Sequence, residues 1–282
     1  MEGTSVPIQG IETVPVAVES EQELGAASVI VRDGNTPEAT MQEAAKVLVE
    51  HLFAQNDVAI PGISYAVAYR LAEGPTGGDI VDLYHYDNDS IAIAIADISG
   101  KGPQAAVNAA LIKFGLRAYS SEGLTPERVI RAMDRLYLEN NAFEQSDSFA
   151  SVFFGIIDPT RRLLTYANAG HEPVLLIEPD GTCTVIEPTA PLVGVFDDQH
   201  HLFRQAFVAV GSGTLIVAAT DGVTEARGSN GGFFGMERFI AEAVGHRHLA
   251  EAELVQAIMS AVQTYAHGER RDDVAVVAVR FH

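Results

Sequence analysis

The residues best placed to do chemistry in this sequence are aspartates at the tips of apolar runs. Asp79 follows Gly77-Gly78 and opens a strand-like segment, and Asp97 closes the run IAIAIA. Asp221 follows LIVAAT and precedes Gly222, and Asp272-Asp273 open the terminal run VAVVAVRF. Glycine beside an acid lets the backbone approach a ligand closely. Taken singly, an aspartate before glycine is an ordinary turn former. Four such tips gathered at one end of a sheet system would repel strongly unless cations sat among them. Hard carboxylate oxygens suit magnesium or manganese rather than zinc.

Other chemistries fit less well. His200-His201 and His246-Arg247-His248 lack the helical His-Glu-x-x-His spacing of a zinc hydrolase and lie in polar segments. GPTGGD and SGKG stop short of a nucleotide-binding loop, which ends in Gly-Lys-Ser or Gly-Lys-Thr before a helix. Asn88-Asp89-Ser90 matches a glycosylation pattern but sits in an expected hairpin turn. The single cysteine, Cys183, lies inside a strand-like run, where it makes neither a disulfide nor a plausible nucleophile.

The elements that must carry the aspartates follow from periodicity. Strands are expected at ISYAVAYRLA, DIVDLYHY and SIAIAIADI, the last two forming a hairpin around Asp87-Asn88-Asp89. Residues 103–119 and 126–141 have helical spacing. Strand-like runs return at FASVFFGIID, RLLTYANAG, PVLLIEP, TCTVIEP, FRQAFVAV and TLIVAAT. Two helices, near 235–245 and 250–266, precede the last strand. Clusters of strands broken by pairs of helices favour an α+β layered domain over a doubly wound parallel sheet.

Residues 1–35 carry six acids against one arginine and no sustained period, which reads as a flexible N-terminal extension. Thr36-Pro37-Glu38 then supplies a helix start, and residues 36–54 are expected to form a linker or regulatory helix. Residues 55–282 are left as the catalytic-sized domain. Net charge −20 argues against nucleic-acid binding, because a phosphate backbone would be repelled. There is no secretory-type start and no apolar run of about 20 residues. A cytoplasmic protein without a membrane span is the expectation.

Together the motifs resemble the metal-dependent protein phosphatase (PPM, type 2C-like) superfamily, specifically the bacterial SpoIIE/RsbU-like serine phosphatases. The matching segments are PTGGDIVDLYHYDNDSIAIAIADISGKGPQAAVNAALIK, FASVFFGIIDPTRRLLTYANAGHEPVLLI, LIVAATDGVTEARGSNGGFFGMERF and RRDDVAVVAVRF, in the family's order. The resemblance implies an αββα sandwich, two antiparallel sheets flanked by helices, with two divalent cations, Mn2+ or Mg2+, at one edge. Asp79, Asp97, Asp221 and Asp272 would hold them, with the backbone carbonyl of Ile98. Asp273 stands where many eukaryotic relatives have asparagine. Glu225 matches an accessory acid beside a weaker third metal. His171 of Asn168-Ala169-Gly170-His171 is either a metal-adjacent, proton-handling residue or a turn histidine that orders its loop. The sequence departs from the pattern at Asp97-Ile98-Ser99, where eukaryotic relatives have glycine and then histidine, and at Ala275, where threonine is usual. The general acid is therefore unassigned, and Lys101 is the candidate phosphate clamp.

The implied activity is hydrolysis of phosphoserine or phosphothreonine on a protein by metal-activated water. The implied setting is partner switching on a phosphorylated STAS-domain, anti-anti-sigma-like protein. Two other readings stay open, a catalytically silent PPM-fold binding or sensor module and a phosphatase of small phosphoesters. The helix from Thr36 is expected to regulate activity by packing on the catalytic domain or on its copy in a homodimer.

Overall fold

The run IAIAIADI shows how the layers arise. In a strand, alternate side chains point to opposite faces. Ile91, Ile93 and Ile95 enter one core cluster, while Ala92, Ala94 and Ala96 enter another. Both faces are buried, so the sequence reads as continuously apolar. The isoleucines fill the gap between two sheets. The alanines leave a shallow face on which a helix lies close.

The computed structural model describes residues 61–70, 78–100, 102–196, 202–229, 231–267 and 272–282. The N-terminal extension, the helix expected from Thr36, Lys101 and His200-His201 lie outside these residues. Strands β1 (Ile63–Arg70), β2 (Ile80–His85) and β3 (Ile91–Ile98) come first. Helices α1 (Pro103–Ser121) and α2 (Pro126–Glu144) follow. Then come β4 (Ala150–Asp158), β5 (Leu163–Ala169), β6 (Val174–Ile177), β7 (Cys183–Ile186), β8 (Ala206–Ala209) and β9 (Leu215–Ala219). The chain continues through the single turn α3 (Asp221–Thr224), α4 (Gly235–Gly245), α5 (Glu251–Tyr265) and β10 (Val274–Phe281).

Two five-stranded sheets result, ordered β1-β10-β9-β6-β7 and β2-β3-β4-β5-β8. Every strand pair within them is antiparallel. The isoleucine-rich cluster joins β2–β5 to β1, β6, β9 and β10, and so lies between the sheets. The alanine-rich cluster joins β2–β5 to α1 and α2. A third joins β1, β6, β9 and β10 to α4 and α5. The order of layers is helix, sheet, sheet, helix, the expected sandwich. Helices α1 and α2 run two or three residues beyond their expected ends. Gln145 stops α2 in a left-handed conformation.

A buried ionic group ties α1 to β2. Asp82 accepts two hydrogen bonds from Arg117, from Nε at 2.6 Å and from Nη2 at 2.7 Å. Lys113 Nζ stands 3.7 Å from the same carboxylate. The Arg117 guanidinium also lies over the Tyr84 ring, 4.6 Å from its centroid. Asp82 is three residues from Asp79, so this group fixes the strand that starts at the candidate site.

Candidate metal centre

Each sheet delivers its acids to the same edge. Asp79 immediately precedes β2 and Asp97 lies near the end of β3, in the sheet that carries α1 and α2. Asp221 begins α3 just after β9, and Asp272-Asp273 immediately precede β10, in the other sheet. Strands β2 and β3 are antiparallel, with Ile80 opposite Ala96, so the start of one lies beside the end of the other. Strands β9 and β10 repeat that relation with Ala219 opposite Val276.

Side-chain hydrogen bonds tie the two sheets together at this point. The Thr220 hydroxyl donates to Asp79 Oδ2 at 2.5 Å and accepts the backbone N–H of Ala275 at 3.0 Å. The Gly78 N–H donates to Asp273 Oδ2 at 3.0 Å. A Cβ on Gly78 would lie 2.8 Å from the Ile98 carbonyl oxygen, and one on Gly222 would lie 1.8 Å from that of Asp273. The glycines of Gly-Gly-Asp and Asp-Gly are thus required by close backbone approach. The Ile98 carbonyl lies beside the residue that precedes Asp79.

Charge behaves as the convergence requires. Burial pushes the Asp79 carboxyl well above the usual carboxylate range, and the charges of Asp97, Asp273 and Asp221 add to it against the Thr220 hydrogen bond. Burial also raises Asp97, which a hydrogen bond with Asp79 partly offsets while Asp272, Asp273 and Glu225 raise it further. Asp221 is pushed up to about 7, first by burial and then by Asp97, Asp272, Glu225 and Glu172. Like charges within a few ångströms of one another have this effect, and a bound cation would reverse it. The donor set is all oxygen, which fits a hard divalent cation. Among the described residues no three acids or histidines already stand at coordinating positions. The carboxylates instead engage Thr220, Gly78 and one another.

Glu225 is held at this edge because α3 is helical, with its N–H donating to the Asp221 carbonyl at 2.7 Å. Glu172 is a member of the acidic group that sequence reasoning did not single out. Its carboxyl is raised by burial and then by Glu225, and it hydrogen-bonds Thr224. Its position directly after His171 was the available signal. His171 itself is buried, with Nδ1 2.8 Å from Ser151 Oγ and its N–H donating to Asn168 Oδ1. Burial lowers its pKa to about 3, so the imidazole is neutral at ordinary pH. Ser151 pairs with Asp97 across β3 and β4, which places His171 behind the acids through one intermediary. Ala275 is fully buried between the sheets and contributes its backbone N–H to Thr220. His246 caps the C-terminus of α4 and His248 lies in the turn that follows. Burial raises the Cys183 thiol, in keeping with its lack of a nucleophilic role.

Beside the acids opens a cavity of about 130 Å³, with Glu225 and Asp272 on its wall together with Arg70, Gly222, Arg227 and Gln263.

Two stacked antiparallel sheets between helical layers, with acids from both sheets at one edge, define the PPM, or type 2C-like, phosphatase fold. Residues 87–282 match the Stage II sporulation protein E (SpoIIE) family, and the chain belongs to that family. Protein IcfG of Synechocystis is 30% identical over 227 residues, 72% of this chain and 35% of that protein. Phosphoserine phosphatase RsbU of Bacillus subtilis is 29% identical over 204 residues, 71% of this chain and 58% of that protein. The chain therefore spans only 35–58% of the length of these relatives. The SiaA-PP2C domain of Pseudomonas aeruginosa has the same fold, with a TM-score of 0.70 at 18% identity over 87% of this chain and 97% of that one. No helix among the described residues is long and apolar enough to cross a membrane.

Proposed function

We propose that the chain is a metal-dependent serine/threonine phosphoprotein phosphatase that takes a phosphorylated STAS-domain protein as substrate. The observation that carries this reading is the meeting of Asp79, Asp97, Asp221, Asp272, Asp273, Glu225 and Glu172 at one edge, where burial and mutual repulsion raise several carboxyls above their ordinary range. Membership of the SpoIIE family and likeness to a phosphoserine phosphatase support it.

Asp79, Asp97, Asp221 and Asp272 would hold two divalent cations, with the Ile98 carbonyl and Asp273 completing the set and Glu225 serving a weaker third. When bound, such a pair acidifies water and offsets charge developing on the phosphoryl group. Thr220 orients Asp79 by donating to Oδ2. Gly78 lets the start of β2 lie against the end of β3, and Gly222 lets α3 lie against the start of β10. His171, neutral and two contacts away from Asp97, orders the Ser151 side of the site rather than moving protons.

The test is phosphate release from a phosphoserine-bearing STAS-domain protein with manganese, with a chelator, and in Asp97→Asn and Asp221→Asn variants. Metal-dependent release, lost by at least roughly 100-fold in both variants, is expected for removal of a ligand charge. Full activity after exhaustive chelation, or in both variants, would sink the proposal. Binding of the phosphoprotein without release would leave a silent PPM-fold module, and faster turnover of small phosphoesters would leave a small-molecule phosphatase.

A further inference from the structure

The cavity beside the acids has a different character from the acidic edge it adjoins. Its wall contains Glu225 and Asp272 but none of Asp79, Asp97 or Asp221, so it lies next to the centre of the acidic group rather than over it. The same wall carries Arg70 and Arg227. Arg70 is pinned there by a hydrogen bond from Nη2 to the Met259 carbonyl at 2.9 Å. Arg227 forms an isolated bridge with Phe233, and its guanidinium lies 4.5 Å from the centroid of that ring. Stacking of this kind uses the face of a guanidinium, whereas its N–H donors lie along the edge and form a fork that matches a carboxylate. At about 130 Å³ the cavity approaches the roughly 150 Å³ that holds one benzene ring. It is of a size to admit one side chain.

From this geometry we infer that the cavity is a specificity subsite, which takes the carboxylate side chain of an aspartate or glutamate flanking the phosphoserine, with Arg227 as its principal contact. The inference rests on the phosphatase reading above. The chain's net charge of −20 opposes the approach of an acidic substrate segment. Arg70 and Arg227 would offset that repulsion locally and so help to fix the segment's register.

The experiment uses the full chain with manganese and a set of phosphoserine peptides. One glutamate, alanine or lysine is placed one to three residues to either side of the phosphoserine. Turnover is measured on the phosphoserine peptides, and binding on phosphonate analogues that cannot be hydrolysed. The glutamate peptide at one position should have a KM and Kd roughly 1.5- to fivefold below those of its alanine counterpart, the range of an exposed ion pair. Arg227→Gln should erase that preference, Arg227→Lys should retain part of it, and Arg227→Glu should turn it toward the lysine peptide. An unaltered preference in Arg227→Gln and Arg227→Glu would overturn the inference, as would no preference in the wild type. Equal weakening of all three peptides would also overturn it, because the arginine would then serve the phosphate itself. Should no peptide be hydrolysed, the phosphoprotein assay above still decides the phosphatase reading, and the analogue binding decides the subsite.

Discussion

At the scale of single residues, the candidate site depends on what is missing as much as on its acids. The space for a Cβ at Gly222 is filled by the Asp273 carbonyl at 1.8 Å, whereas at Gly78 the Ile98 carbonyl is 2.8 Å away. Gly222→Ala must therefore push apart α3 and the start of β10, and should destabilise the fold by about 3 kcal/mol, the upper end for overpacking. Gly78→Ala meets a milder conflict, and should weaken manganese binding while lowering the melting temperature less than Gly222→Ala does. Equal thermal losses with unchanged metal affinity in Gly78→Ala would refute this account. His171 gives a second, independent test. Its pKa is depressed by burial from 6.5 to about 3, so the unfolded chain binds the proton more readily than the folded one between those values. Its contribution to stability is present above about pH 6.5 and is lost as pH falls toward 3. Wild type should lose melting temperature faster than His171→Gln on acidification through this window. Parallel curves would show that the imidazole is not buried and neutral.

At the scale of elements, the Asp82 group decides whether β2 and α1 stay in register beneath Asp79. Asp82→Ala would take the carboxylate away from Lys113 and Arg117 together, and breaking a buried pair in this way costs about 3–5 kcal/mol. Lys113→Met replaces one buried cation by an apolar chain of similar length and leaves the Arg117 pair in place, so its cost should be below about 1.5 kcal/mol. Urea denaturation of the two variants checks the ranking, and a milder Asp82→Ala would show the group to be dispensable. This network also marks where sequence reading stopped. The ten strands were legible because their apolar residues run in short blocks between turn formers, and the alternation of Ile and Ala in β3 even encodes which face meets a helix. The acids at the strand tips were legible for the same reason. Asp82 was not, because a polar residue inside DIVDLYHY reads as the wet side of a strand until α1 is seen to cover it. Glu172, Arg70 and Arg227 were missed likewise, since each joins the site from a different element and only the sheet order makes them neighbours.

At the scale of the whole molecule, the proposed ligands are divided between the two sheets. Asp79 and Asp97 belong to the sheet under α1 and α2, and Asp221 and Asp272 to the sheet under α4 and α5. Burial is the first cause of the raised carboxyls of Asp79 and Asp221, and acids across that boundary add to it, Asp273 and Asp221 on Asp79 and Asp97 on Asp221. A cation pair would convert the same boundary into a cross-link, so its binding energy should appear in global stability and not only in local order. A ligand that binds the native state alone, at a hundred times its dissociation constant, stabilises by about 2.7 kcal/mol. For a domain of this size each kcal/mol raises the melting temperature by roughly 2–4 °C, so saturating manganese should add about 5–10 °C. Asp79→Asn and Asp221→Asn remove a ligand from opposite sheets, and each alone should abolish most of that gain. Hydrogen exchange should slow on manganese addition in β2 and β3 as well as in β9 and β10. Protection confined to one sheet, or a gain that survives in either variant, would mean that the acids of the two sheets do not share their cations.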